Sequence, residues 1–438
     1  MMLLSFTVQN HRSLRDELTI DLTRPTLRTL RPRAGEDWRS HVYPLAGVFG
    51  ANATGKSAIL DALTYTFTAI HSSATIWQAS RTMPRVPFAL DDESPEKVST
   101  YRLDFVHADR RHEYGFEVDD TGVVREWLRD IPGTRWRTLL ERVSGDGTLR
   151  THGSVRPLGA ITRRELALSR ALLLEHPQLG PIARNLVRSF DSLSVRDEDR
   201  ERRLAALPRS LLERDVTFDT IVSLLQVADI GVVDVDVQED EVPATLREIL
   251  REVTQRLRED EGDEPAPLNA LEDDESDAVV RSLVFTHQGT ASEQRRFSIG
   301  DESDGTIAWL AIIVPALEIL RRGGVFCVDE IDSSLHPHLV DVLLGAFSDP
   351  EINTKGAQLL FTSHDTYILS PLSQVDLEPE QVWFTEKTRD GATELSCLAD
   401  FPRNKGANVA RRYLLGRYGG TPRLAPSVLT ALIRFKDA

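Results

Sequence analysis

The sequence predicts an α/β fold with a mixed parallel core sheet, an antiparallel β lobe and an inserted, mainly helical subdomain. Residues 50–57 match the phosphate-binding pattern G-x-x-x-x-G-K-[ST], between an apolar run and a helical pattern. Residues 99–143 alternate between apolar and polar side chains, which indicates antiparallel sheet with one solvated face. The period becomes helical from about Leu158, and short apolar strands return after residue 280.

Length and composition bound the class of protein. The chain has 438 residues, a net charge of −16 and two cysteines, Cys327 and Cys397. Two cysteines are too few for a disulfide framework or a zinc site, and they suit a reducing cytosol. The N-terminus shows no signal pattern and no apolar run is long enough to span a membrane, so we expect a cytoplasmic protein. The acidic excess argues against uniform electrostatic binding to nucleic acid.

We expect three segments along the chain. Residues 1–148 would form the first half of the core with the antiparallel lobe, beginning with a hairpin of residues 4–8 and 18–22. Residues 149–280 would form the inserted helical subdomain, which ends in a loop that holds ten acidic residues between positions 259 and 277. Residues 281–438 would complete the core. The phosphate-binding site is therefore expected to be split between two remote parts of the chain.

The turn at residues 50–57 has the context that gives the pattern its physical meaning. An apolar strand at residues 45–49 precedes it, and an apolar helical face at residues 58–63 follows it. Backbone N–H groups of such a turn and helix N-terminus attract anions. Lys56 can reach the β- and γ-phosphates of a nucleotide, and the Ser57 hydroxyl can bind Mg²⁺. The residues expected to contact ATP here are Gly50, Asn52, Thr54, Gly55, Lys56 and Ser57.

Two strand ends in the second half carry candidate catalytic groups. Asp329 and Glu330 follow the apolar strand 325–328, where Asp329 would hold Mg²⁺ and Glu330 would activate the water that attacks the γ-phosphate. His364 follows the strand 358–363 and would donate to a γ-phosphate oxygen. The alternative interpretations are a solvated Asp-Glu pair and a structural histidine. The complete phosphate-binding turn favours the catalytic ones.

A third candidate site lies where Ser303 and Gly305 open an apolar helix at residues 307–320. A serine hydroxyl and the first backbone amides of a helix form an anion site. Simple capping of the helix by Ser303 or Asp304 explains the same residues without a ligand. The pattern of the whole chain favours the anion site.

These motifs resemble the SMC and RecF branch of the ABC-type ATPases, which implies a P-loop ABC-type ATPase head. Residues 302–306 correspond to the signature, 329–330 to the end of Walker B, 331–337 to the D-loop and His364 to the switch histidine. Residues 302–306, 329–337, 362–366 and 413–422 resemble more closely the AAA-type ATPases of bacterial abortive-infection and anti-phage systems. Those proteins are related to the OLD family and include RloA-like proteins. The likeness covers both ends of the chain.

The resemblance implies a homodimer or higher assembly with ATP sandwiched between subunits. Ser303 and Gly305 of one subunit would close on the γ-phosphate that Lys56 of the other holds, and Asp332 of the D-loop-like stretch would also contact the nucleotide. The implied function is an ATP-hydrolysing switch that controls a separate effector, a Toprim-like nuclease, because the residues that follow His364 are too few for a nuclease domain. In the signature, Asp304 replaces a common glycine. No glutamine is assigned to the Q-loop.

Other interpretations remain at this point. A RecF- or SMC-like ATPase that clamps or repairs DNA is the main alternative function. A transporter subunit fits poorly because of the split site and large insertion, and a GTPase fits poorly because residues 404–407 lack the aspartate of N-K-x-D. Asp234 and Asp236 mimic a nuclease D-x-D, but a strand is favoured. The basic stretch 403–423 could bind nucleic acid, and a docking helix is the favoured interpretation.

Overall fold

The computed structural model describes residues 1–80, 82–143, 148–194, 218–228, 231–241, 279–289, 295–402 and 408–420. Part of the predicted insertion lies outside these ranges, including the acidic loop at 259–277 and an apolar helical stripe at 246–257. The basic residues Arg403, Lys405 and Arg423 also lie outside them.

The described residues form sixteen strands and seven α-helices. The strands are β1 Met2–Gln9, β2 Leu18–Asp21, β3 Leu45–Phe49, β4 Ser99–His107, β5 Arg110–Asp119, β6 Gly122–Asp130, β7 Arg137–Val143, β8 Leu149–Thr151, β9 Phe190–Ser194, β10 Val232–Glu241, β11 Val279–His287, β12 Arg296–Ser298, β13 Val325–Asp329, β14 Gln358–Ser363, β15 Val382–Lys387 and β16 Thr393–Cys397. The helices are α1 Lys56–Ser72, α2 Ala167–Leu173, α3 Gly180–Arg188, α4 Phe218–Val227, α5 Asp304–Arg322, α6 Pro337–Ser348 and α7 Val409–Leu414.

The core is a six-stranded sheet in the order β16-β15-β3-β14-β13-β9. Its strands run parallel except β16, which forms an antiparallel hairpin with β15. Alternate side chains of β3 enter two apolar clusters: Ala46 and Val48 pack on the side of α1, and Leu45 and Phe49 on the side of α5. Burial on both faces explains the unbroken apolar runs and confirms the predicted core strands.

The predicted antiparallel lobe is a seven-stranded sheet in the order β2-β1-β4-β5-β6-β7-β8. The hairpin of β1 and β2 is confirmed, and β1 pairs with β4. Tyr101, Leu103 and Phe105 alternate along β4 and are fully buried. This face belongs to the same apolar cluster as α1, so the lobe packs against the helix that follows the phosphate-binding turn.

The described part of residues 149–280 contains helices and also strands that the helical period does not reveal. Strand β9 joins the core sheet in parallel with β13, and Phe190 stacks on Phe67 of α1 with ring centroids 4.1 Å apart. Strand β10 pairs with β11, and β12 completes a small antiparallel sheet. Strand β9 has only five residues, three of them polar, so the sequence does not indicate a strand there. Its strand conformation depends on pairing with β13.

The two cysteines are core residues. Cys327 and Cys397 are both buried and are not joined in a disulfide. Burial raises the pKa of the Cys327 thiol far above its ordinary value, so this side chain acts as a small apolar group in β13 rather than as a nucleophile.

In the parts of the chain that the structure describes, no helix combines the length and the apolar character needed to cross a membrane.

The free energy of unfolding is expected to fall between pH 7 and pH 5, because His112 takes up a proton less readily in the folded protein than in the unfolded chain. The ring of His112 is 4% exposed, stacks on Phe105, and donates from Nδ1 to the Arg110 carbonyl at 2.8 Å. Burial lowers the pKa of His112 to about 4. Because the unfolded chain titrates near 6.5, it binds the proton first, and acidification from pH 7 to pH 5 should cost about 2 kcal/mol.

Urea denaturation at a series of pH values measures this effect. The His112→Gln variant should show a flatter dependence between pH 7 and pH 5 than the wild type. The exposed His152 of the same lobe gives the control variant, His152→Gln, which should keep the wild-type slope. An unchanged slope in His112→Gln would show that another group causes the acid sensitivity.

Candidate functional site

The turn at residues 50–57 links β3 to α1. Gly55 has φ +104°, and a Cβ atom there would overlap the Thr393 hydroxyl. Only glycine accepts this position without strain. Lys56, which is 6% exposed, donates from Nζ to the carbonyls of Gly50 at 2.8 Å and Ala51 at 3.0 Å. The ammonium group is therefore held at the centre of the turn, while Asn52 lies exposed at its tip.

The outer side of the turn packs on the hairpin of β15 and β16. The Thr54 hydroxyl contacts the Thr385 hydroxyl at 2.7 Å, and Thr393 donates to the Thr54 carbonyl at 2.8 Å. The Ala51 amide donates to the Gly420 carbonyl at 2.6 Å. Thr54 and its backbone thus help to fix the turn from behind. Thr385, Thr393 and Gly420 therefore support this turn although they lie more than 300 positions later in the chain.

The two remote halves meet at the end of the core sheet. Strand β14 lies between β3 and β13, and all three run parallel, so their carboxyl ends share one edge. Ser57 donates to Asp329 Oδ1 at 3.0 Å, and Thr362 donates to the same oxygen at 2.6 Å. These contacts bring Ser57, from the first half of the chain, together with Asp329 and Thr362 from the second half.

Ser57 and Asp329 suit a magnesium ion by their chemistry. Mg²⁺ prefers hard oxygen ligands and is usually held by one or two carboxylates together with phosphate oxygens and waters. A hydroxyl and a carboxylate oxygen 3.0 Å apart, beside a phosphate-binding turn, supply the protein part of such a set. Among the described residues there is no group of three or more His, Cys, Asp or Glu side chains that could hold a metal ion by themselves.

Glu330 follows Asp329 in a left-handed backbone conformation with φ +57°. A glycine would adopt this conformation without strain, whereas a glutamate does not. The Glu330 amide donates to the Thr362 hydroxyl at 2.7 Å. The next amide, of Ile331, donates to the Thr362 carbonyl at 3.0 Å. Non-glycine residues in this conformation are uncommon and cluster at functional sites. The chain thus turns sharply at the residue predicted to be the general base.

His364 lies at the same edge, directly after β14, and is exposed. Its Nδ1 lies 3.2 Å from Oδ2 of Asp332, whose side chain is only 8% exposed. The other carboxylate oxygen of Asp332, Oδ1, is buried without a hydrogen-bond partner among the described residues. The structure thus pairs two of the predicted site residues with each other.

Ser303 and Gly305 begin helix α5. The Ser303 hydroxyl accepts from the Thr306 amide at 3.1 Å, so it caps the helix in this structure. A Cβ atom on Gly305 would lie 3.0 Å from the Ser334 carbonyl, in the stretch that follows Glu330. The Glu302 carboxylate accepts from Nε2 of His287 at 2.6 Å, which ties the signature-like segment to β11. Within one chain, Ser303 therefore acts as the N-cap of α5, the alternative that needs no ligand.

Two other candidate sites take structural positions. Asp234 and Asp236 lie on the exposed face of β10, as the strand interpretation predicts, and Asp236 is 3.6 Å from Arg296. In the C-terminal segment, Tyr413 and Tyr418 are buried and stack on Phe384. These tyrosines belong to the core and are not presented to nucleic-acid bases.

The structure adds residues that the sequence patterns do not single out. Thr362 opens the stretch 362–366 that the resemblance uses, but the sequence assigns no contact to it; its place two positions before His364 is the signal that could have found it. Thr385, Thr393 and Gly420 support the turn at residues 50–57, and no local pattern points to that role. Tyr413 holds the Gly420 carbonyl with its hydroxyl at 3.1 Å, and burial raises the pKa of Tyr413 to about 12, which keeps it a donor.

Comparisons with known proteins place these features in context. A family model described as "AAA domain, putative AbiEii toxin, Type IV TA system" matches residues 45–370. No curated protein matches the chain. Among solved structures, the chain is similar to an Smc head bound to the C-terminal winged-helix domain of ScpA, with 13% identity and a TM-score of 0.41 over 91% of this chain and 97% of that one. It is also similar to an Smc head domain with an extended coiled coil bound to the C-terminal domain of ScpA, derived from Pyrococcus furiosus, with 12% identity and a TM-score of 0.37 over 90% and 96% of the two chains.

Proposed function

The chain belongs to the AAA-domain family that this model describes, and on that premise we propose that it is a cytoplasmic, Mg²⁺-dependent ATPase that switches a bacterial abortive-infection system by controlling a separate effector. In this proposal, residues 1–148 and 281–438 form the two halves of an ATPase head of the OLD-related, RloA-like kind. Residues 149–280 form its insertion.

The observation that carries the ATPase assignment is the contact between Ser57 and Asp329. These residues are 272 positions apart, and they meet at 3.0 Å beside a complete phosphate-binding turn. A hydroxyl from the first turn of the helix and a carboxylate at the end of a parallel strand of the same sheet are the pair that ATPases of the P-loop class use toward Mg²⁺. The pairing supports the proposal because a chance match to the pattern would not bring these two groups together.

The hydrolysis step assigns one role to each predicted residue. Backbone amides of the turn and Lys56 bind the β- and γ-phosphates, with Gly50, Asn52, Thr54 and Gly55 shaping the turn. Glu330 accepts a proton from the attacking water as the water oxygen bonds to the γ-phosphorus and the bond to the β-phosphate oxygen breaks. His364, oriented by Asp332, donates to a γ-phosphate oxygen. ADP and phosphate leave. Ser57 and Asp329 would hold Mg²⁺, which would supply neutralisation of the phosphate charge.

Ser303 and Gly305 are assigned to the nucleotide of a partner subunit. Ser303 is exposed, and the amides at the start of the 19-residue helix α5 are suited to bind a phosphate. Two copies related by a twofold axis would each contribute Lys56 to one nucleotide and Ser303 to the other. ATP then joins the copies, and hydrolysis releases them.

A mixture of two inactive variants tests this sandwich. Ser303→Arg and Lys56→Ala are each expected to lack ATP turnover. Their hybrid dimer contains one intact composite site, so an equimolar mixture should recover about a quarter of the wild-type turnover if subunits exchange freely. Phosphate release measures it. Mixing Ser303→Arg with the double variant Lys56→Ala/Ser303→Arg is the matched control, since no intact site can form there. Equal, negligible turnover in both mixtures would contradict action between subunits.

The effector assignment rests on the resemblance to RloA-like systems, and the family description, which names a putative toxin and a toxin–antitoxin system, supports a role in such a system. We infer a toxic partner, such as a Toprim-like nuclease, that is restrained or released according to the ATP state. Cells carrying the gene with its neighbours should survive phage infection as a population, and Glu330→Gln should abolish that protection. Protection by the Glu330→Gln variant, or by the chain without neighbours, would contradict control of a partner by hydrolysis. Tight, steeply salt-dependent binding to double-stranded DNA by the purified chain would instead support a DNA clamp.

A further inference from the structure

Thr362 contacts both Asp329, the last residue of β13, and Glu330, which follows it. It lies in β14, the strand between the phosphate-binding strand and β13, and its side chain is fully buried. The hydroxyl makes two contacts at once: it donates to Asp329 Oδ1 at 2.6 Å and accepts from the Glu330 amide at 2.7 Å. One hydroxyl therefore connects a carboxylate to the backbone of the following residue.

The backbone of Thr362 adds a third contact to the same segment. Its carbonyl accepts from the Ile331 amide at 3.0 Å. Glu330, held between these two contacts, has φ +57°. A non-glycine residue keeps such a conformation only where its surroundings impose it. Thr362 supplies that constraint from the neighbouring strand.

We propose that Thr362 is a positioning residue of the ATPase reaction. Its hydroxyl aims the Asp329 carboxylate at Ser57 and fixes the left-handed backbone that directs the Glu330 side chain. The inference rests on the proposed ATPase function and adds a residue to it. Thr362 acts only through Asp329 and Glu330 and does not touch the nucleotide.

A buried threonine often has a merely structural hydroxyl, and the chain offers an internal comparison. Thr66 of α1 is also fully buried, and its hydroxyl donates to the Ala62 carbonyl one helical turn back at 2.8 Å. That bond satisfies the hydroxyl within its own helix. The Thr362 hydroxyl is different because both of its partners belong to the segment that carries Asp329 and Glu330.

The test compares Thr362→Val, which keeps the shape and removes the hydroxyl, with Thr362→Ser, which keeps the hydroxyl. Thr66→Val is the matched control. For Thr362→Val we expect kcat to fall by at least about tenfold, the effect of losing a hydrogen bond to a charged group, with the affinity for ATP in EDTA unchanged. Thr362→Ser and Thr66→Val should stay close to the wild type in kcat. A Thr362→Val kcat equal to that of Thr66→Val would overturn the inference.

A second readout uses the protein without nucleotide. Hydrogen–deuterium exchange of the peptide that contains Glu330 should be faster in Thr362→Val than in the wild type, because the Glu330 amide loses its acceptor. Unchanged exchange there would count against the inference even if kcat fell. Should Thr362→Val not fold, Thr362→Ala gives a second variant without the hydroxyl for both measurements. A wild-type protein with no ATP turnover would refute the proposed function, whereas normal wild-type turnover with a fully active Thr362→Val would refute the positioning role.

Discussion

The Glu330→Gln variant is expected to bind Mg·ATP as tightly as the wild type and to hydrolyse it at least about a hundredfold more slowly. The amide has the size and shape of the carboxylate but cannot accept a proton from the attacking water. Because the backbone at Glu330 is held by contacts to Thr362, the substitution should leave the turn at residues 329–331 in place. Phosphate release under saturating ATP gives the rate, and chromatography of the protein after incubation gives the retained nucleotide.

Glu351→Gln is the control for this variant, because Glu351 is exposed in the connection between α6 and β14. It should turn over ATP at the wild-type rate. If Glu330→Gln hydrolyses ATP at a rate within threefold of this control, the general base is another group.

The second large effect is expected for Lys56→Ala, which should lose ATP binding, with affinity reduced by at least about a hundredfold. In the structure the Lys56 ammonium is buried and held by two carbonyls of its own turn. Nucleotide phosphates at the turn would replace those carbonyls with charged oxygens, which bind an ammonium more strongly. Calorimetric titration with ATP in EDTA and in Mg²⁺ measures the loss.

Lys97→Ala provides the matched removal of a lysine, since the Lys97 side chain is 61% exposed and pairs with Glu93 in the β lobe. Its ATP affinity should equal that of the wild type. If Lys56→Ala is folded and its affinity for ATP equals that of Lys97→Ala, the turn at residues 50–57 is not part of the nucleotide site.

The parts of the fold that the sequence predicts are those with local signals. The strands that hold Phe49, Val328 and Phe361 are apolar on both faces because each face packs on a separate cluster, so a continuous apolar run identifies them. The turn at residues 50–57 and the starts of α1 and α5 follow from residue types within a few positions. The ends of β13 and β14 are predicted from the polar residues that follow each apolar run.

The remaining parts depend on contacts between distant residues. Thr54 meets Thr385 across 331 positions, and neither residue type is unusual in its local context. The contacts of Thr362 with Asp329 and Glu330 become apparent only when β13 and β14 are placed side by side. Strand β9 takes its conformation from pairing with β13 rather than from an apolar pattern of its own. Sheet order and register decide these features, and a single sequence does not display them.

A crystal structure with Mg²⁺ and a non-hydrolysable ATP analogue tests the central claim most directly, namely that one triphosphate site is built from both ends of the chain. The γ-phosphate is expected beside Lys56, whose Nζ has left the carbonyls of Gly50 and Ala51, with the metal between Ser57 and Asp329 and with Glu330 facing the γ-phosphorus. A nucleotide bound elsewhere, or bound at the turn with Asp329 and Glu330 remote from its phosphates, would contradict this account.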